Sequence, residues 1–164
     1  VQVRSAAGAR ANGHGAGRGR PGEDGPADGG PAFGLSTACM GDGAVIEVAE
    51  GAAIERPIHM VWMHGGAPAS ASFSRSVVSV GAKASLTLIE SFEGPDDLDY
   101  QVNTALDLSI GKGGLVEHIK IGNAGSDALP ASSLAPTPAE AAPPPDLPPT
   151  VVSSPLRNRL ALLV

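Results

Sequence analysis

The chain has 164 residues and a net charge of −6, with Gly and Pro supplying 37 positions and aromatics 3%. Ten glycines fall in the first 34 positions and nine of the fifteen prolines follow Leu129, so residues 35–129 hold the segment able to bury a core. That segment carries twelve acids against five bases, which leaves no basic stripe for nucleic acid. One cysteine, Cys39, excludes an intrachain disulfide framework and fits a reducing compartment. No run of 18 apolar residues and no leader-like apolar core is present, and the expectation is a cytoplasmic protein.

Residues 1–34 are a Gly/Ala/Arg-rich stretch without apolar periodicity and are expected to be disordered. Structure is expected to begin near Ser36, with Met40-Gly41-Asp42-Gly43 as a turn. Ala44–Val48 alternates as a strand, and Glu50-Gly51 makes a corner. Ile58–Met63 is a second strand, opened by Pro57 where a missing N–H is tolerated. Ser74–Val80 and Ala84–Ser91 form another pair about Gly81, and Tyr100–Ile121 a third about Gly111. The three glycines are thirty residues apart, and all three are expected at equivalent corners of a stacked β-architecture. Residues 93–99, EGPDDLD, are an acidic loop. No segment between 35 and 129 shows a 3.6-residue stripe, so little helix is expected. Residues 130–164 form a Pro-rich tail, expected to be disordered, that ends in the short apolar run LRNRLALLV.

The runs ending in ERPIH, the unit SFSRSVVSVGAKASLTLIES and the run LVEHIKIGNAGSDAL resemble consecutive turns of the SufB/SufD family, SufD in particular, of the Suf iron–sulfur cluster assembly system. The likeness covers about residues 35–129. It implies an all-β chain: a right-handed parallel β-helix (solenoid) fragment of about three turns with disordered flanks. It also implies a non-catalytic scaffold subunit of a SufBCD-type complex. The implied partners are a SufB-like paralogue, met through β-helix pairing, and a SufC-like ATPase whose helical docking region has no counterpart here. The iron–sulfur cluster belongs to the assembled complex, and the family's Cys–His-containing segment is missing. The flanks have the composition that an off-frame reading of GC-rich DNA encodes, so a truncated or frameshifted product, non-functional alone, is one expectation.

The residue types that could bind metal are sparse. Alternation puts His59 opposite Ile58, Met60 and Trp62, and puts His118 on one face with Val116 and Lys120; both histidines are expected on the solvent side. Cys39 has no Cys or His at ligand spacing. Cys39, His59 and His118 are thus weak metal candidates, and neither a catalytic nor a cofactor-binding residue is assigned. Asp96, Asp97 and Asp99 do not match a calcium-loop pattern. A β-helix carbohydrate-active enzyme using that loop with a divalent cation is the alternative reading.

Overall fold

The structure, a computed structural model, describes residues 1–7, 30–65, 70–125, 127–138, 152–154 and 157–163. Among the described residues the elements follow in chain order: β1 (Gln2–Ser5), α1 (Gly30–Cys39), β2 (Ala44–Val48), β3 (Ile58–Met63), β4 (Ser70–Val80), β5 (Ser85–Glu93), β6 (Tyr100–Ile110), β7 (Leu115–Asn123), β8 (Ala128–Pro138), β9 (Val152–Ser154) and β10 (Arg157–Leu163). They build two five-stranded sheets, ordered β1-β2-β4-β6-β8 and β3-β5-β7-β10-β9. Successive strands of the central segment alternate between the sheets, so each unit of about thirty residues gives one strand to each. Pairing is parallel from β2 to β8 in the first sheet and from β3 to β7 in the second. Strands β1, β9 and β10 pair antiparallel with their neighbours.

Period-2 alternation decides which side chains the sheets share. Even-numbered positions point inward: Ile46 and Val48, Val78 and Val80, Leu86 and Leu88, Leu106 to Ile110 and Val116 form one apolar cluster between the sheets. Because parallel neighbours stack like on like, Val48, Val80 and Ile110 lie in register, as do Ile58, Leu88 and His118. A second cluster, Phe92, Tyr100 and Val102, continues the interior toward the loops at the other end of the strands.

The corners correct the expected glycine equivalence. Val48 pairs with Val80, 32 positions on, and Val80 with Ile110, 30 positions on. Ala49, Gly81 and Gly111 therefore align, whereas Gly51 aligns with Lys83 and Gly113. Those last three share a left-handed backbone, with φ of 69°, 55° and 70°. Each occupies the third position of a turn closed by the amide of Ala52, Ala84 or Gly114 on the carbonyl of Ala49, Gly81 or Gly111, the place where a type II turn requires positive φ. Gly81 and Gly111 serve a different need. A Cβ there would lie 2.5 Å from the backbone nitrogen of Glu50 or Ala82 in the corner beneath. The mismatch of two residues is absorbed between Ala53, opposite Ser85, and Ile58, opposite Leu88.

Several flanking stretches also depart from expectation. Asp42 lies in an extended bridge to Ser74 rather than a turn. Helix α1 covers Gly30–Cys39 and packs on β4, β6 and β8. Pro31 suits its first turn, where the missing N–H has no intrahelical acceptor. On strands β4 and β6 of the first sheet, Arg75, Asn103 and Ala105 are buried at odd-numbered positions, opposite in parity to the inward rows. Strand also occurs where irregular chain was expected, in residues 2–5, 130–138, 152–154 and 157–163. Of the expected disordered flanks, residues 8–29, 139–151, 155–156 and 164 lie outside the described residues. Pro130, Pro136 and Pro138 all fall in β8, outermost in its sheet. Proline is accommodated there because an outer edge makes no ladder bonds, and their alternate spacing puts the missing donors on one edge.

Candidate functional site

Among the described residues, the inward rows carry charge at one place. Glu90 continues the face of Leu86 and Leu88, and is 1% exposed. Its register partners are Met60 on one side and Lys120 on the other, with His118 one inward position before Lys120. A charge placed here must be matched by donors, because burial without them costs several kcal/mol.

The donors are present. His118 Nε2 lies 2.6 Å from Glu90 Oε2, and Lys120 Nζ lies 3.7 Å from the same oxygen. Trp62 Nε1 donates to Glu90 Oε1 at 3.2 Å. Lys120 also donates to Ser132 Oγ, which accepts from Thr104 Oγ1 at 3.0 Å. One polar chain thus crosses the interior from β3 through β5 and β7 to β6 and β8.

Burial acts to raise the Glu90 carboxyl pKa. The hydrogen bond from His118, the charges of Lys120 and His118 and the bond from Trp62 outweigh burial and hold it below the usual carboxylate range. For Lys120 the balance falls the other way. Burial pushes the amine below its ordinary value despite the attraction of Glu90. Both Glu90 oxygens are engaged, so the carboxylate is placed to neutralise and orient its neighbours rather than to present a free ligand or base.

Trp62 links this cluster to a groove of about 430 Å³ lined by Asp42, Gly43, Ala44, Met60–Met63, Ser72, Ser74 and Val102. The groove exists because β4 runs on to Ser70 while β2 begins at Ala44, opposite Ser76 by register, leaving the interior beside Ser72 uncovered on that side. At the mouth of the strands, His64 stacks on Tyr100, with ring centroids 4.1 Å apart. Tyr100 Oη accepts the amide of Gly125 at 2.9 Å.

The residues singled out from sequence are not brought together. His118 is buried, 2% exposed, so its expected solvent-side position is corrected. Its shared face with Val116 and Lys120 is as expected, but that face points inward. His59 is exposed on β3 and bonds Ser91 Oγ at 2.9 Å. Cys39 is exposed at the end of α1. Asp96, Asp97 and Asp99 are exposed in the loop before β6. Among the described residues, no three of His, Cys, Asp and Glu form a group that could hold a metal ion.

Glu90 was missed, although a signal for it exists: it is a charge at an inward position of an alternating run, thirty residues before Lys120. Comparison of the chain with family models, curated proteins and solved structures finds no match in any of the three. Among the described residues, no helix is long and apolar enough to cross a membrane.

Proposed function

We propose that this chain is a right-handed parallel β-helix segment serving as a scaffold subunit in iron–sulfur cluster assembly, with a SufB-like paralogue as its pairing partner. The observation that carries the reading is the alternation of parallel strands between two sheets at an offset of about thirty residues. This is the spacing at which the runs resembling SufD repeat along the sequence. The interior fits a scaffold better than a catalyst. Both oxygens of Glu90 are engaged, by His118, Lys120 and Trp62, which rigidifies the space between the sheets. No residue of this chain is assigned as a cluster ligand, and the cluster itself is cargo of the assembled complex.

Co-expression with a SufB-like and a SufC-like protein tests the reading. Stoichiometric co-purification with the SufB-like chain is expected, and anaerobic reconstitution should place iron and sulfide on the complex rather than on this chain alone. Absence of a complex at micromolar concentration, with the β-rich circular dichroism of the chain intact, would remove the scaffold reading while leaving the fold.

A further inference from the structure

The groove beside Trp62 is more than the bare end of an aliphatic stack. Along β4 the inward positions run Val80, Val78, Ser76, Ser74 and Ser72, so valine gives way to serine where the groove opens. Ser76 Oγ accepts the Ala44 amide at 3.0 Å, and Ser72 Oγ donates to Gln101 O at 3.4 Å. Met60 and Trp62 of β3 and Val102 of β6 supply the apolar part of the wall. The volume of about 430 Å³ falls in the range of small-molecule sites, roughly 300–1,000 Å³.

Charge at the groove has one sign. Among the described residues its lining includes Asp42 and no Lys, Arg or His. The arginines of the adjoining strands are committed elsewhere, Arg4 to Glu47 at 3.4 Å and Arg75 to Asp107 at 2.7 Å. Among the described residues the partners of the Asp42 carboxylate are neutral: Ser5 Oγ at 3.0 and 3.1 Å and the Ala7 amide at 2.9 Å. Backbone hydrogen bonds from Ala7 and Gly43 hold its carboxyl below the usual range, so it is ionised at neutral pH. The negative charge is thus oriented but not cancelled.

Trp62 supplies the complementary surface. Its Nε1 donates to Glu90 Oε1 at 3.2 Å, so the indole has no donor left for the groove and offers it π and hydrocarbon surface. The thioether of Met60 adds polarizable area. We propose that this groove binds a small organic cation, a substituted ammonium on an apolar body, with its charge toward Asp42 and its body on Trp62 and Met60. An anion would meet Asp42 without a compensating base. A wholly apolar ligand would strip water from the carboxylate and the serine hydroxyls and return nothing to them. The site needs no second chain.

Trp62 is the chain's single tryptophan, so its fluorescence reports on the groove directly. Titration of the full chain with benzyltrimethylammonium is expected to give a saturable change. Its affinity should exceed that of phenylacetate, which has the same ring and the opposite charge, by at least ~10-fold. Neutral benzyl alcohol should fall between the two. Ser72→Lys, at an exposed position, puts an ammonium into the groove and is expected to weaken the cation at least ~10-fold and reverse the preference. Asp42→Asn keeps an acceptor for Ser5 and Ala7 but removes the charge, and should abolish the preference. The proposal is overturned by quenching that stays linear without saturation, by equal affinity for the cation and phenylacetate, or by a preference that survives either substitution in a folded chain. Should Asp42→Asn lose the β-rich circular dichroism, Ser72→Lys decides.

Discussion

Gly81 and Gly111 sit where stacked backbones leave no space for a side chain, while Gly51 has open space around a backbone of the wrong sign for other residues. The two kinds of glycine predict different penalties. Gly81→Ala and Gly111→Ala force the corner below to shift and are expected to cost about 2–3 kcal/mol. Gly51→Ala is expected to cost about 1–2 kcal/mol, the usual charge for a left-handed L residue. Lys83 already bears that strain at φ 55°. Lys83→Gly should therefore stabilise the chain by about 0.5 kcal/mol, after the greater unfolded freedom of glycine is subtracted. Urea midpoints for the four variants check the order.

Glu90 makes a separate prediction from charge. Its folded pKa lies below the ordinary 4.5, so its contribution to stability is present above that value and is lost as pH falls through the folded pKa. Lys120 gives a slope of the same sign in a higher range: its folded pKa lies below 10.5, so stability again rises with pH between the folded and ordinary values. Glu90→Gln should cost about 3 kcal/mol at neutral pH, since it leaves Lys120 without its carboxylate, and should flatten the acid limb of the stability profile. Chemical denaturation between acid and neutral pH reads both.

At the scale of elements, helix α1 is held by what it covers. Arg75 is 2% exposed, and its Nε lies 2.7 Å from Asp107 Oδ2 on the outer face of the first sheet. Losing that guanidinium removes a charged hydrogen bond and the packing of a buried stem on β4, a strand that the helix contacts. Arg75→Ala is expected to cost about 2 kcal/mol and to speed amide exchange in α1 more than in β5. A change on the inward face should have a different reach. Leu88 is fully buried between its neighbours in β3 and β7. Leu88→Ala is expected to cost about 2–5 kcal/mol and to loosen both sheets together. If exchange changed only in β5, the shared interior would be wrong.

For the whole molecule, stability follows position in the sheet order. Strands β4 and β6 have a partner on each side, as do β5 and β7, while β3 and β9 have one. Native-state exchange should rank protection accordingly, with β4–β7 slowest and β1, β3 and β9 fastest. Equal protection across all ten strands would contradict a nearest-neighbour arrangement.

Strand identity was legible in the central segment because alternation is a local property. Ala44–Val48, Ile58–Met63 and the pairs about Gly81 and Gly111 are readable from the residues alone. The thirty-residue spacing likewise announced a stacked β-architecture. Register was not legible, since the glycine at position 51 keeps the period only by coincidence. The two-residue offset that displaces it depends on how many residues cross from Ala53 to Ile58. Helix α1 was missed because it has no apolar stripe of its own, and its partner is a sheet surface formed by residues far along the chain. The polar cluster lies between these cases. Alternation alone placed His118 beside Lys120, but which face of a strand is buried is decided by the other sheet. Only when the two sheets close over one another does the row of Leu88 and Glu90 become the interior.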